Sequence, residues 1–262
     1  MNNRRAVVMD ELVSIIMPSY NTSSYIQETI QSVVNQTYQN WELIIVDDCS
    51  SDDTDEIIKP YLKDTRISYY KNNKNLGAAL SRNKALMVAK GRWIAFLDSD
   101  DLWIPDKLHK QILFMKEYNY HFSYTKYEEI NEKSEPIGLI VSGPSKITRI
   151  GMYLYCWPGC LTVMYDRDAI GTIQVSDIKK NNDYAMWIKV SKKSDCHLLS
   201  EVLSLYRKRS GSISNHGYFK LIRWHYKLWN EANEMNIIVS LLFTILNLIF
   251  GLYKKKKYIE KY

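Results

Sequence analysis

The chain is poor in residues that staple, ligate or thread. Its 262 residues include four cysteines, Cys49, Cys156, Cys160 and Cys196. Only Cys156 and Cys160 lie close together, and no second pair matches them, which argues against a zinc site. Scattered thiols in a chain of this length fit a reducing compartment. The histidines (His109, His121, His197, His216 and His225) show no metal-ligand spacing. No GxGxxG follows the first apolar run, which excludes a Rossmann dehydrogenase. The first residues carry Arg4 and Arg5 but no apolar run long enough for a signal peptide, so a cytoplasmic protein is expected. There is no internal repeat, and Lys254–Lys257 is the one low-complexity stretch.

What remains is a globular composition, 46% hydrophobic and 24% charged, in a chain long enough to bury a full core. The formal charge of +6 is uneven. From Asn215 onward stand eight basic and three acidic residues, so nearly all of the excess lies in the C-terminal tail. Apolar neighbours of those charges point away from nucleic acid.

Leu12 to Met17 is an apolar, β-branched run stopped by Pro18, and Ile26, Ile30, Val33 and Val34 then recur at helical spacing with Thr22 or Ser23 as N-cap. Leu43–Val46 is the next strand, followed by a helix of about ten residues ending near Pro60. Ile67–Tyr70 is a third strand, and a helix from Gly77 to Lys90 stops at Gly91. Trp93–Leu97 is a buried strand, with a helix from Pro105 behind it whose inner stripe is Leu108, Ile112 and Met115. Strand alternating with helix predicts an α/β fold with a mostly parallel sheet covered on both faces. Residues 132–150 read as a loop with weak strands. Leu161–Tyr165 reads as a strand, Asn181–Lys193 as a helix, and Cys196–Leu199 and Val202–Tyr206 as short strands.

In such sheets ligands bind beyond the carboxyl ends of the strands. Three polar phrases fall there: Pro18-Ser19-Tyr20-Asn21, Asp47-Asp48 and Asp98-Ser99-Asp100-Asp101. Like charges ~4 Å apart cost roughly 4 kcal/mol at an effective dielectric near 20, so the last cluster needs a positive partner. A divalent cation on a diphosphate supplies one, and carboxylate oxygens suit Mg²⁺ or Mn²⁺. The same residues also suit an acidic helix N-terminus.

Ser14-Ile15-Ile16-Met17-Pro18-Ser19-Tyr20-Asn21, Leu43-Ile44-Ile45-Val46-Asp47-Asp48-Cys49-Ser50, Gly77 with Ser81-Arg82-Asn83, and Phe96-Leu97-Asp98-Ser99-Asp100-Asp101 together resemble the family 2 glycosyltransferases, especially bacterial members that build capsule, O-antigen or teichuronic-type polysaccharides. The resemblance implies a GT-A fold and a nucleotide-sugar donor, most simply a UDP-sugar. It implies that Tyr20, beside Pro18, packs on the base while Asp48 accepts from its ring N–H. Asp98, with Ser99, would contact the ribose, and Asp100 would hold the metal through the donor's diphosphate. Gly77 and Arg82 edge the donor pocket in relatives, although Arg82 is equally suited to hold the Asp cluster together. Asn181-Asn182-Asp183-Tyr184-Ala185-Met186-Trp187-Ile188 resembles the family's acidic segment, with Asp183 in the position of the general base and Asn182 where many relatives carry a second acid. Tyr206-Arg207-Lys208-Arg209 and the Ser210–Ser214 stretch resemble a basic loop over phosphates, with Arg207 and Ser212 as candidates. Trp157 and Trp187 are weak candidates for the acceptor side.

The reaction implied is an inverting, metal-dependent transfer of a sugar to a hydroxyl of a glycan or lipid-linked acceptor. Two rivals stand beside it. A sugar-nucleotide pyrophosphorylase wants a glycine-rich loop where Pro18-Ser19-Tyr20-Asn21 stands. An inactive nucleotide-sugar-binding subunit would tolerate loss of Asp183, which this chain retains. The expected division is a catalytic domain over residues 1–215 (nucleotide-binding half about 10–117, acceptor half about 118–215) and a basic, apolar helical extension over 216–262. Ile237–Tyr253 is strongly apolar, with Ser240, Thr244, Asn247 and Gly251 on one helical stripe and Lys254–Lys257 directly after. It is expected to lie in, or dip into, the inner leaflet of the cytoplasmic membrane, or else to pack on protein.

Overall fold

The computed structural model describes residues 11–209 and 218–262. The first half alternates β1 (Val13–Ser19), α1 (Ile26–Val34), β2 (Trp41–Asp47), α2 (Thr54–Ile58), β3 (Ile67–Lys71), α3 (Ala78–Val88) and β4 (Trp93–Phe96). Their strands lie parallel in the order β3-β2-β1-β4. Because side chains alternate across a strand, β1 feeds two cores. Val13, Ile15 and Met17 join the cluster under α1 and the following α4 (Lys107–Glu117). Ile16, with Ile44, Val46, Ile94 and Phe96, joins the opposite cluster, which contains residues of α3. Burial on both faces is why these strands read as unbroken apolar runs.

The second half is mixed. After the two-residue β5 (Leu102–Trp103) and α4 come β6 (Phe122–Ile130), β7 (Pro136–Val141), β8 (Lys146–Ile147), α5 (Arg149–Leu154), β9 (Met164–Asp166), α6 (Arg167–Ile170), α7 (Asn182–Ser191) and β10 (Cys196–Arg207). β9 pairs antiparallel with both β4 and β6, and so extends the parallel half into the second. β10 runs parallel to β6. The described residues thus form one eleven-stranded sheet, parallel through β3-β2-β1-β4 and mixed beyond it.

Several boundaries differ from expectation for local reasons. Pro18 does not stop β1. Ile16 accepts a hydrogen bond from Leu97, so positions 16 and 18 address the β4 side, and β4 pairing ends at Ile16. A missing N–H at position 18 therefore leaves no ladder bond unmade. Neither Thr22 nor Ser23 caps α1, whose N-cap position is Tyr25; the Thr22 N–H instead donates to the Thr54 hydroxyl. The helix expected to end near Pro60 is α2 plus a 3₁₀ turn, Lys59–Lys63, that contains the proline. Pro105 precedes the Asp106 N-cap of α4 rather than opening it. Residues 132–150 include the well-formed β7. Leu161 belongs to a 3₁₀ turn, Cys160–Thr162, ahead of β9. The two strands expected at 196–206 are one, interrupted by register shifts between Leu199 and Ser204.

Beyond the undescribed residues, α8 (Tyr218–Lys227) and a π-helical turn, Leu228–Ala232, lead into α9 (Ile237–Lys257) and β11 (Ile259–Lys261). β11 pairs antiparallel with β7, so the extension ends in the same sheet. The polarity of α9 is inverted relative to an ordinary surface helix. Its buried residues are Ser240, Thr244, Asn247 and Lys254. Asn247 donates to the carbonyls of Tyr153 (3.1 Å) and Leu154 (2.7 Å) and accepts from the Trp229 indole at 3.0 Å. Lys254 donates to the Trp157 carbonyl at 2.7 Å. The aliphatic side chains of α9 face outward.

Candidate active site

The carboxyl ends of β1, β2 and β4 make one rim. β1 and β2 are laced together there: Asp48 donates its N–H to the Ser19 carbonyl (2.8 Å), and Ser51 donates to the Asn21 amide oxygen (2.9 Å). Tyr20 stands at this rim with about half its surface free (47%). Pro18 lies beneath it inside β1. Asp47 turns inward and binds its own turn, accepting from the Ser50 N–H at 3.1 Å. Asp48 reaches across to the loop before α3. It accepts from the Asn72 amide (2.9 Å), the Leu76 N–H (2.8 Å) and the Gly77 N–H (2.6 Å). Gly77 has φ +89°, a conformation that a side chain would strain. These bonds use both Asp48 oxygens and leave the carboxylate, an acceptor with about four lone-pair directions, room for one further donor.

The acidic loop after β4 divides its four residues among separate tasks. Ser99 is buried, and its carbonyl takes the Thr29 hydroxyl of α1 at 3.1 Å. Asp101 is buried and accepts the Arg207 N–H at 2.8 Å. It does not cap the following helix. Burial, together with Asp100 and Asp98, pushes its carboxyl well above the usual range. Asp98 and Asp100 remain partly open, and each meets one arginine. Asp98 receives Arg82 Nη2 at 2.5 Å, and Asp100 receives Arg209 Nε at 2.7 Å. Burial raises the Asp100 carboxyl, with Arg209 opposing.

Arg82 links the two halves of the fold. It projects from α3, almost fully enclosed, and its Nη1 donates to the Asn182 side chain at 2.7 Å, across 100 residues of sequence. Burial works against its charge, yet Asp98 and Asp183 hold its pKa above the ordinary value. Asn182 opens α7, and Asp183 follows in that helix's first turn. The N-cap is Asn181, in the left-handed region, so Asp183 is not the cap. Burial raises the Asp183 carboxyl above the usual carboxylate range, with Arg82 pulling the other way. A carboxylate so shifted is poised to accept a proton closer to neutral pH. Asn182 therefore supplies the acceptor for Arg82 without adding a charge.

Three expected site residues turn out to do other work. The Arg207 guanidinium is enclosed, and its donors are taken by the Asp100 carbonyl (2.7 Å), the Ser134 hydroxyl (2.8 Å) and Glu28 (2.8 Å). It holds the acidic loop from behind; Arg209 is the basic group that faces a site carboxylate, a role that spacing alone did not separate from Arg207. Trp187 is fully buried, edge-on to Phe96 at 5.0 Å between ring centres. Trp157 is 4% exposed and packs against Phe250 and Tyr258. Neither presents a face to a sugar ring. Ser212 lies outside the described residues.

Among the described residues no three His, Cys, Asp or Glu side chains gather as a ready-made metal cage. Asp98 and Asp100 nevertheless fit a hard cation of the Mg²⁺ type, which is bound through one or two carboxylates and completed by substrate phosphates. Each is now neutralised by an arginine that a cation could relieve.

The sequence model described as Glycosyl transferase family 2 matches residues 14–159. The chain belongs to glycosyl transferase family 2. TuaG of Bacillus subtilis strain 168, named for teichuronic acid biosynthesis, is 44% identical over 206 residues, covering 78% of this chain and 82% of TuaG. The Escherichia coli UDP-Glc:alpha-D-GlcNAc-diphosphoundecaprenol beta-1,3-glucosyltransferase WfaP is 44% identical over 214 residues, covering 81% of this chain and 84% of its own. Among solved structures, S. aureus TarS 1-349 in complex with UDP-GlcNAc superposes with a TM-score of 0.67 at 22% identity, over 89% of this chain and 70% of that one. The Pyrobaculum calidifontis mannosyltransferase PcManGT, solved with GDP-Man and Mn2+, gives a TM-score of 0.65 at 15% identity, over 93% and 72%. This family 2 glycosyltransferase has the GT-A fold, as its motifs implied.

Proposed function

We propose that the chain transfers a sugar from a UDP-sugar to a hydroxyl of a lipid-linked glycan acceptor, with inversion, in the assembly of a cell-surface polysaccharide. It works as a peripheral protein on the inner face of the cytoplasmic membrane. One observation carries the chemistry. Arg82 ties Asp98 of the acidic loop to Asn182, immediately before Asp183, so the two ends of the reaction are built around one guanidinium. Relatives named for teichuronic acid and for diphosphoundecaprenol acceptors support the substrate class.

In this reading Tyr20 packs on the base and Asp48 accepts from its ring N–H. Asp98 meets the ribose, and Asp100 would hold Mg²⁺ or Mn²⁺, which when bound neutralises charge on the diphosphate. The acceptor hydroxyl gives its proton to Asp183. Its oxygen bonds to the anomeric carbon while the bond from that carbon to the diphosphate breaks, and UDP departs. Among the described residues Arg209, paired with Asp100, is a cation placed to meet the leaving charge. Asp183→Asn tests the assignment. Transfer should fall by roughly 10²–10⁴, the usual worth of a positioned base, with UDP affinity nearly unchanged. Full turnover in that variant would sink it.

A further inference from the structure

Among the described residues, none covers the aliphatic face of α9. Ile238, Leu241, Leu242, Ile245, Ile249 and Leu252 recur along one side of the helix and are between 50% and 80% exposed. The opposite side is the hydrogen-bonded stripe of Ser240, Thr244, Asn247 and Lys254, which cannot leave the catalytic domain without stranding buried polar groups. Adjacent α8 exposes Leu221 and Ile222 between Lys220 and Arg223, and Lys255 and Lys256 are exposed at the end of α9. Neither helix contains an acidic residue.

We infer that this face is a monotopic membrane surface, on which α9 lies in the plane of an anionic leaflet rather than crossing it. The inference deepens the peripheral association proposed above and rests on it. At 21 residues and ~1.5 Å each, α9 is long enough to span. Its connections forbid that. Its N-terminal end follows the turn bearing Trp229, which Asn247 holds, and its C-terminal end runs directly into β11 on the edge of β7. Both ends belong to one folded unit, whereas a spanning helix would place them on opposite sides of the bilayer. Aliphatic side chains outward on two helices whose charged residues are all basic match hydrocarbon beneath anionic headgroups, with Glu231, Glu234 and Glu260 confined to the segments that flank α9 and Glu231 paired to Lys227.

The test uses the full chain and vesicles of phosphatidylcholine with or without phosphatidylglycerol. Wild type should float with anionic vesicles and be released from cell membranes by alkaline carbonate. Leu241→Glu, Ile245→Glu and Ile249→Glu together should lower the bound fraction at least about tenfold with an unchanged melting temperature, since all three sites are solvent-facing. Lys255→Gln with Lys256→Gln should weaken anionic binding by about fivefold per charge. If wild type fails to float, peripheral association itself is wrong. If wild type floats but the triple variant floats equally, or carbonate fails to release the chain, the in-plane α9 surface is wrong while peripheral association survives. A wild-type dimer in light scattering that the triple variant dissolves would assign the face to a second copy and overturn the lipid surface. None of these readouts depends on turnover.

Discussion

Replacing Arg82 with methionine removes a charge from the point where the two halves of the site meet, while keeping most of the side chain's length. Two effects follow, and they are separable. Breaking a buried ion pair by deleting one partner costs about 3–5 kcal/mol, because the other charge is left behind. Here the Asp98 side chain is 33% exposed, so water screens one end. That lowers the expected loss to about 2–3 kcal/mol, read by urea unfolding through tryptophan fluorescence. The second effect is on Asp183, whose raised pKa is held down by Arg82. Without the guanidinium, the acid limb of the pH–rate profile should move to higher pH. Arg82→Lys discriminates further. It keeps the charge, so the limb should stay near wild type, but it loses the two-pronged bond to Asp98 and Asn182, so stability should fall between the other two. If Arg82→Met unfolds within about 0.5 kcal/mol of wild type and its acid limb is unmoved, the guanidinium does not couple the halves.

Asp100→Ala should weaken UDP binding in the presence of Mn²⁺ and abolish the manganese-dependent thermal shift, while UDP binding in chelator changes little; an undiminished manganese effect would remove Asp100 from the metal's ligands. Asp101 has a folded-state pKa well above the ~3.9 of an unfolded chain, so its folded form holds a proton that the unfolded form has released, and its contribution to stability is lost as pH rises above ~4 through that raised value. Asp101→Asn should therefore flatten the difference in urea stability across that window, and an identical slope in both proteins would contradict the shift. Asn247→Leu strands the carbonyls of Tyr153 and Leu154 and the Trp229 indole, and should cost about 2–4 kcal/mol in a thermal or urea melt. Loss of less than about 0.5 kcal/mol would show that α9 is held by something else.

The parallel half and its rim were legible in the residues because the signals are local: apolar runs, turn residues and carboxylates lie within a few positions of one another. What was not legible depends on partners far apart. The link from Arg82 to Asn182 spans 100 residues, and nothing near either residue announces the other. Arg207 and Arg209 sit two apart in a basic phrase, yet β10 turns the first inward and leaves the second facing Asp100. Trp157 and Trp187 illustrate the same limit. An aromatic side chain declares its size, but whether it meets ligand or core depends on which elements close over it. The stripe of Ser240, Thr244 and Asn247 was visible as a helical pattern, but which side of α9 would be covered was a matter of tertiary packing.

Arg207 also sets a timetable. Its guanidinium reaches Glu28 of α1 across 179 positions, and its backbone N–H reaches Asp101 across 106. A nascent chain emerges from the ribosome in order, so β1 to β4 can pair long before residue 207 is synthesised. The loop bearing Asp98 and Asp100 then waits for β10 to brace it, and contacts of such long range are slow to form. An amino-terminal fragment ending near residue 120 would carry every carboxylate of that loop and still lack the brace that fixes it.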